Sequence, residues 1–104
     1  MQDKLLENII DSSFDGIFIT DKNGFVLFVN KAYEKLAGRK RSEYVGKHMK
    51  DLMKSGIMKE YISGDVVSRK ETITITEQLI SGKSVMITGS PVIDEKGEVI
   101  AVVN

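Results

Sequence analysis

The chain has no cysteine, which excludes several kinds of site at once. Without thiols it forms no disulfide, no thiolate metal site and no thiol nucleophile. Tryptophan is absent too, and His48 and Pro91 are the only residues of their types. A catalytic triad or a histidine-rich metal site would depend on that one histidine, and we expect neither.

Excess charge of one sign and long apolar runs are also lacking. The 15 basic residues balance the 15 acidic ones, whereas nucleic-acid and membrane surfaces need excess positive charge. No apolar run reaches the length of a membrane span, and the N-terminus has no signal-peptide pattern. We therefore expect a cytoplasmic protein with no direct nucleic-acid or membrane contact. The 104 residues suffice for one hydrophobic core, predicted as an amphipathic helix over 1–13 and a folded domain over 14–104.

A tight hairpin that leads directly into a helix gives the strongest local signal. Two runs rich in β-branched and aromatic residues, about 16–20 and 25–29, flank the turn Asp21-Lys22-Asn23-Gly24. Aspartate favours the start of such a turn, and glycine takes its left-handed position at little steric cost. Asn30 then offers its side chain as the cap of a helix predicted over 31–37, which a glycine ends.

The following segment is less regular. The sequence predicts a short helix at 42–45 with Ser42 as its cap, since the position near Lys40 carries no serine or threonine. Apolar spacing predicts helical turns around 49–53 and 57–62, and another short helix over 65–70. These short helices separate two β regions.

The last third of the chain is typical of β structure. Residues 72–76 alternate with period two, and residues 84–88 form a second strand that Pro91 should end or bend. Residues 99–103 are apolar at every position, which is the mark of a strand buried on both faces. Such a strand belongs in the middle of a sheet, so we expect the chain to be a piece of a longer protein. The order of elements predicts an antiparallel α+β sheet with helices on one face.

The order and spacing of five motifs resemble a PAS (Per-Arnt-Sim) sensory domain over nearly the whole chain. The motifs are Asp21-x-x-Gly24, Val29-Asn30-x-Ala32, Leu36-x-Gly38, Glu43-Tyr44-Val45-Gly46-Lys47 and Ser90-Pro91-Val92-Ile93-Asp94-x-x-Gly97. The resemblance implies five strands in the order 2-1-5-4-3, with the final strand central. The closing residues 89–94 and 102–104 look most like PAS domains that precede the ATPase of sigma-54-dependent bacterial transcription activators.

Cofactors and catalysis are not expected. The lack of cysteine excludes the cysteinyl-flavin photochemistry of light-sensing PAS domains, and His48 occupies a junction where relatives carry an ordinary polar residue. Ser81-Gly82-Lys83-Ser84 is similar to the end of a P-loop, but Glu77 stands where that motif needs glycine, and a strand follows instead of a helix. We expect neither haem nor flavin, no metal, and no enzyme.

A pocket between the helices and the inner sheet face follows from the resemblance. Four of the five methionines lie in or opposite the helical block, and thioethers fill irregular space. For any one methionine, plain core packing is the alternative interpretation. The predicted lining residues are Leu36, Tyr44, Met49, Leu52, Met53, Ile57, Tyr61, Ile75 and Ile87.

The first helix carries an apolar stripe of Leu5, Leu6, Ile9 and Ile10 at helical spacing. Both faces of the predicted hairpin are apolar, yet the central helices can cover only one of them. A bare second face would be a large exposed patch, which monomeric proteins rarely show. We therefore predict that the stripe covers the outer face of the sheet in a symmetric homodimer.

The leading hypothesis is a sensory module that binds a small metabolite, dimerises and regulates a C-terminal effector, with transcription regulation as the expected output. One alternative is a ligand-free interaction platform of a histidine kinase or a cyclic-dinucleotide enzyme. A haem or flavin redox sensor is the third reading, which colour would reveal.

Overall fold

The computed structural model describes residues 3–58, 62–78 and 82–104. The helices are α1 (Lys4–Asp11), α2 (Lys31–Ala37), α3 (Met49–Lys54) and α4 (Ser63–Arg69), with a 3₁₀ turn at Arg41–Glu43. The strands are β1 (Phe18–Asp21), β2 (Val26–Val29), β3 (Ile73–Gln78), β4 (Ser84–Ile93) and β5 (Val99–Val103). The strands form one antiparallel sheet in the order β2-β1-β5-β4-β3. The predicted α+β fold, its strand order and its N-terminal helix are confirmed.

The turn between β1 and β2 closes through Asp21. Its Oδ1 accepts hydrogen bonds from the amides of Asn23 at 2.9 Å and Phe25 at 3.0 Å. Gly24 has φ of 94°, a conformation that glycine adopts without steric cost. The register between the two strands then shifts between Ile19 and Thr20, so the hairpin is short and bulged.

Asn30 connects three parts of the fold. Its Oδ1 accepts from the amides of Tyr33 at 2.9 Å and Ile17 at 2.8 Å, which caps α2 and holds the chain entering β1. Its Nδ2 donates to the carbonyl oxygens of Ile10 and Asp15, each at 3.0 Å. The residue is fully buried, and all four bonds use the capacity of one amide side chain. The predicted cap is therefore also the anchor of the N-terminal segment.

One local prediction needs correction. The helix expected at 42–45 with Ser42 as its cap is a 3₁₀ turn that begins at Arg41, with Lys40 in the capping position. Glu43 supplies the carboxylate there, since its Oε2 accepts from the Lys40 amide at 3.0 Å. The Glu43 side chain, at the third position of the turn, thus takes the place of the expected cap. Preferences of single residues for the capping position do not predict this arrangement.

Pro91 does not end β4, which runs on to Ile93 with Pro91 opposite Val102. Proline is tolerated in a strand where its nitrogen faces no ladder partner. Ile73, the first residue of β3, pairs with Gly89, so Pro91 lies beyond the end of β3. No neighbouring strand on that side requires its N–H.

The N-terminal helix is hydrogen-bonded to the domain at its C-terminal end, through Ile10 and Asp11. Asp11 Oδ1 accepts from the Lys31 amide at 3.0 Å and forms an ion pair with Arg41 Nη2 at 2.9 Å. The Arg41 guanidinium also lies 4.6 Å from the centre of the Phe28 ring. No residue of α1 is fully buried. Leu5, Leu6 and Ile9 are exposed, so the apolar stripe is not packed against the sheet of its own chain. The predicted cover of the sheet in a homodimer stays a prediction.

β5 occupies the predicted central position between β1 and β4. Val99 and Val102 are buried, but Ile100 is 50% exposed. The predicted burial on both faces is therefore wrong at this residue.

Candidate functional site

The inner face of the sheet is identified by what packs on it. A Cβ added to Gly89 would lie 3.1 Å from both Ile62 Cδ1 and Val66 Cγ2 of the α4 region. The pairing of β1 with β2 puts four residues on one face of the hairpin, namely Phe18, Thr20, Val26 and Val29. The pairing of β3 with β4 puts four more on the same face as Gly89, namely Ile73, Ile75, Val85 and Ile87. These positions face the helices, because cross-strand partners point to the same side.

The two ends of this inner face differ in packing. We call the end built from β1 and β2, with α2, the 3₁₀ turn and α3, the closed half. Its core is a contiguous cluster of buried side chains, namely Phe18, Val26, Val29, Tyr33, Tyr44, Met49, Leu52 and Met58. We call β3 with residues 84–89 of β4 the open half. Its apolar inward residues, Ile73, Ile75, Val85 and Ile87, are only partly buried.

A cleft of about 660 Å³ adjoins the open half. Residues 14–18 form one wall and residues 85–88 of β4 form the other. Tyr33 and Leu36 of α2 also line it, and Val103 and Asn104 lie at the end of β5 beside it. Its volume falls within the range of small-molecule sites.

A buried polar group lies where the two halves meet. Glu77 is on the inward side of β3, opposite Val85, and is only 3% exposed. The rings of Tyr33 and Tyr44 pack edge to face with centroids 5.6 Å apart. Phe18 extends this aromatic stack, with its centroid 5.1 Å from that of Tyr33. One carboxylate and two phenols thus share an apolar interior.

Burial and neighbouring charges make both phenols weaker acids than free tyrosine. Burial raises the pKa of Tyr44 to about 12, and the negative charges of Glu43 and Glu77 oppose its ionisation further. Burial also raises the pKa of Tyr33 far above its ordinary value, with Tyr44 and Glu77 adding to the effect. Both phenols are therefore neutral at physiological pH, as donors and acceptors of hydrogen bonds.

The predicted pocket residues are not brought together in one place. Leu36 and Ile87 line the cleft, whereas Tyr44, Met49 and Leu52 belong to the buried core of the closed half. The remaining positions are divided as well: Ile57 packs against that core, Ile75 is partly buried on β3, Met53 is exposed, and Tyr61 lies outside the described residues.

Sequence reasoning did not select Glu77 or Tyr33 for the site. Glu77 is two residues beyond Ile75 and so shares the inward parity of an alternating strand. A charged residue at an inward position was the available signal, but the strand was predicted to end at Thr76. Tyr33 lies within the helix predicted over 31–37, where a tyrosine gives no signal that separates a site residue from a core residue.

His48 has a structural position at the start of α3. Its Nδ1 accepts from the Lys50 amide at 3.0 Å, and its Nε2 lies 2.6 Å from the carbonyl oxygen of Asn23. The Phe25 ring packs edge-on against the imidazole at a centroid distance of 4.9 Å. These contacts join α3 to the β1–β2 turn. Over the residues that the structure describes, no three histidine, aspartate or glutamate side chains are grouped to hold a metal ion.

None of the helices in the described ranges has both the length and the apolar character needed to span a bilayer.

Comparison with solved structures finds the same fold in several sensory proteins. The PAS domain of BvgS from Bordetella pertussis superposes with a TM-score of 0.63 at 19% identity, covering 96% of this chain and 78% of that one. The PAS domain of nitrogen regulation protein NR(II) from Vibrio parahaemolyticus gives 0.63 at 16% identity, covering 97% and 96%. The PAS domain of the histidine kinase ThkA gives 0.65 at 23% identity, covering 84% and 91%. At these identities the likeness establishes the fold and not a shared ligand or output.

A search among curated protein sequences found no match. The family model described as "PAS fold", in contrast, matches residues 4–104. That match extends from the first residue of α1 to the end of the chain and agrees with the strand order and the solved neighbours. The chain therefore belongs to the PAS family of sensory domains.

Proposed function

We propose that this PAS domain binds a small metabolite in its interior, forms a homodimer and controls a C-terminal effector of a bacterial regulator. The observation that carries the ligand proposal is Glu77, a carboxylate buried beside two neutral phenols. Polar groups within an apolar interior are the usual means by which a protein orients a small ligand.

The chemistry of this group favours a ligand that donates hydrogen bonds. Carboxylate oxygens accept hydrogen bonds, and each phenol accepts as well as donates. An amine or amide head group would be recognised by Glu77 with Tyr33 and Tyr44, while an apolar body would extend along Ile75 and Ile87. We propose no haem or flavin, since His48 is engaged at the start of α3.

Native mass spectrometry of freshly purified protein tests the ligand proposal. We expect a non-covalent adduct on the unmodified chain that is lost from Glu77→Gln, because an amide cannot replace the charge of the carboxylate. Glu71→Gln is the matched control, since Glu71 is exposed, and it should keep the adduct. An unmodified chain without an adduct would favour the ligand-free platform, and an absorption band of haem or flavin would favour the redox sensor.

The homodimer proposal is supported by uncovered apolar surface. Leu5 is 67% exposed and Leu6 and Ile9 are also exposed on α1. Met86 and Val92, on the outer side of β4, are exposed as well. A second copy of the chain supplies both kinds of surface at once, which is the property of a two-fold interface. The association would also bring the two copies of β5 together, and with them the effectors.

Light scattering on the protein and on the double variant Leu6→Glu/Ile9→Glu tests the dimer. We expect a dimer for the unmodified chain at high micromolar concentration and a monomer for the variant. Lys4→Glu is the control. It changes the net charge by the same two units as the double variant but lies on the opposite side of α1, so it should remain a dimer. A monomeric unmodified chain would reject the proposal.

The proposed output through sigma-54-dependent transcription rests on the resemblance of residues 89–94 and 102–104. A histidine kinase output is the second candidate, and the solved neighbour ThkA is a histidine kinase. Sequencing the gene downstream of this domain distinguishes them, because an ATPase and a kinase core have different motifs.

A further inference from the structure

β3 lies at one edge of the sheet, with β4 on one side and, over the residues that the structure describes, no strand on the other. We call residues 72–76, which read Thr-Ile-Thr-Ile-Thr, the edge segment. Sheets of natural proteins protect an open edge with a lysine, a proline or a β-bulge. The edge segment has no charged residue and no proline, and the pairing of β3 with β4 is unbroken from Ile73 to Gln78. This edge is therefore open to a further strand.

The hydrogen bonds of the sheet determine which backbone groups of the edge segment face outward. The amide of Phe18 donates to the carbonyl of Asn104 at 3.0 Å, and the amide of Asn104 donates back at 2.8 Å. In an antiparallel ladder, successive residues direct their backbone groups to alternate sides. The same alternation, followed through the pairing of β5 with β4 and of β4 with β3, turns Ile73 and Ile75 towards β4. The amides and carbonyls of the three threonines therefore point away from the sheet.

The side chains of the edge segment alternate between the two faces of the sheet. Ile73 and Ile75 share the inward face with Gly89 and are only partly buried. The threonines are exposed on the outward face, where Thr74 Oγ1 lies 3.0 Å from Thr88 Oγ1. Cross-strand pairs of like character stabilise a sheet. A strand added at this edge should therefore present apolar residues inward and hydroxyl groups outward.

The edge segment itself meets this requirement, because its sequence reads the same in both directions about Thr74. In an antiparallel pairing centred there, Thr74 lies opposite Thr74 of the second copy and Ile73 lies opposite Ile75. A shift of one residue would put isoleucine opposite threonine and reverse the faces. A shift of two residues would put an isoleucine opposite Glu77 or Glu71. One register alone thus matches every residue of the edge segment.

We propose that the edge segments of two copies of this chain pair antiparallel about a two-fold axis at Thr74 and join the two sheets into one. A two-fold interface needs a surface that is complementary to itself, and the edge segment has that property. The outward amides and carbonyls of the threonines gain partners, and the isoleucines of both copies form one inward cluster beside the open halves. The chain has no net charge, so overall repulsion between the copies does not oppose the contact.

This contact is separate from the homodimer proposed through α1 and does not depend on it. A ladder over residues 72–76 is small beside the roughly 1,200–2,000 Å² that a stable interface buries. We therefore expect weak association, which becomes populated at millimolar concentration or between chains that a larger assembly holds together. At the lower concentration of the light-scattering test, few chains are paired in this way.

The absence of native cysteine allows a disulfide test. Thr74→Cys places one thiol at the two-fold axis, where directly opposed residues have Cα atoms about 5.5 Å apart, within reach of a disulfide. Thr88→Cys is the matched control, since Thr88 is exposed on the same face but lies one strand further from the axis. Both variants are made in the Leu6→Glu/Ile9→Glu chain, which removes the proposed α1 contact. With oxidised glutathione, we expect Thr74→Cys to form the linked dimer about tenfold faster than Thr88→Cys, because pairing raises the effective concentration of its thiols.

Two further variants test the register. Thr72→Cys and Thr76→Cys lie opposite each other in the proposed pairing, so each alone should link at the rate of the Thr88→Cys control. Their mixture should link faster, and an isotope label on one chain identifies the mixed dimer. Fast linking of Thr72→Cys with itself would contradict the proposed axis.

Amide hydrogen exchange read by NMR tests the same contact without a substitution. As the concentration rises, exchange at the three threonine amides should slow by about twofold when half of the chains are paired. Ile75 is the internal control, because its amide already faces β4. Threonine exchange that does not depend on concentration, or equal linking of Thr74→Cys and Thr88→Cys, would overturn the proposal. Light scattering reports on α1 and the native mass spectrum on the ligand, so each proposal fails independently.

Discussion

The closed half and the open half of this sheet are built from similar residues but are packed to different degrees. β2 has three buried residues out of four, whereas β3 has one out of six, and that one is Glu77. The closed half is covered by α2, the 3₁₀ turn and α3, which follow β2 directly in sequence. The open half is approached mainly by α4, which packs on β4 and β5. The elements that follow β2 directly in sequence thus complete the core of the closed half. The open half is covered less and has room for a further group.

This difference suits a sensory domain. A fully packed region has one arrangement of its side chains, and added bulk strains it. A partly buried region can change its contacts at little cost to global stability. Glu77 on β3 and the cleft beside β4 both belong to the less tightly packed half of the sheet.

The largest expected difference between the halves is the cost of a truncated side chain. Leu52→Ala should lower the free energy of unfolding by about 2–5 kcal/mol, because Leu52 is almost fully buried in the closed half. Ile87→Ala should cost only about 1–2 kcal/mol, since part of this side chain already contacts solvent. Urea denaturation of both variants measures the two values. Equal losses would show that the open half is packed as tightly as the closed half.

A smaller effect is expected from added volume. Ile57→Phe should lower stability by about 1–3 kcal/mol, because Ile57 packs against the closed core. Ile75→Phe should change it by less than about 0.5 kcal/mol, as expected for a side chain with room beside it. The melting temperatures of the two variants check this ordering. A clear decrease for Ile75→Phe would remove the distinction and weaken the case for an interior ligand.

The smallest expected effect concerns the edge of the closed half. The amide of Lys40 and the side chain of Arg39 hold the pKa of Glu43 below its ordinary value. The folded state therefore gains stability from this carboxylate at neutral pH, and loses it as the pH falls below that value towards the lowered pKa. Glu43→Gln should be slightly less stable than the unmodified chain at pH 7 and equal to it at strongly acidic pH.

Thermal melts across this pH range provide the measurement. Glu95→Gln is the control, because Glu95 is exposed in the turn before β5 and should show no such convergence. A difference for Glu43→Gln that persists at strongly acidic pH would indicate that packing, and not charge, is responsible.

Local chemistry explains why much of the fold was predictable. The bounds of α2, the caps at Asn30 and Gly38 and the turn at Asp21–Gly24 depend on residues a few positions apart. The strand order followed from the resemblance and from the apolar composition of β5. Whether Pro91 ends or bends β4 depends on where the neighbouring β3 begins, which is not a local property.

The candidate site was predicted less well, because it depends on contacts between distant segments. Leu36 and Ile87 line the cleft as the pattern suggested, but Met49 and Leu52 fill the closed core. Apolar residues that line a cavity and those that fill a core have the same sequence pattern. Only the packing of the helices onto the sheet separates them.

The sequence by itself determined the order of elements, the hairpin, the caps and the family, since turn and helix signals act through neighbouring backbone groups. Tertiary structure alone decided that Glu77 is buried near Tyr33 and Tyr44, and that Asn30 also anchors the segment before β1. It also decided that α1 leaves its stripe exposed while Asp11 is bound to Arg41. These outcomes depend on the register of the strands and on which helix covers which half of the sheet, and both are set by the packing of residues far apart in the chain.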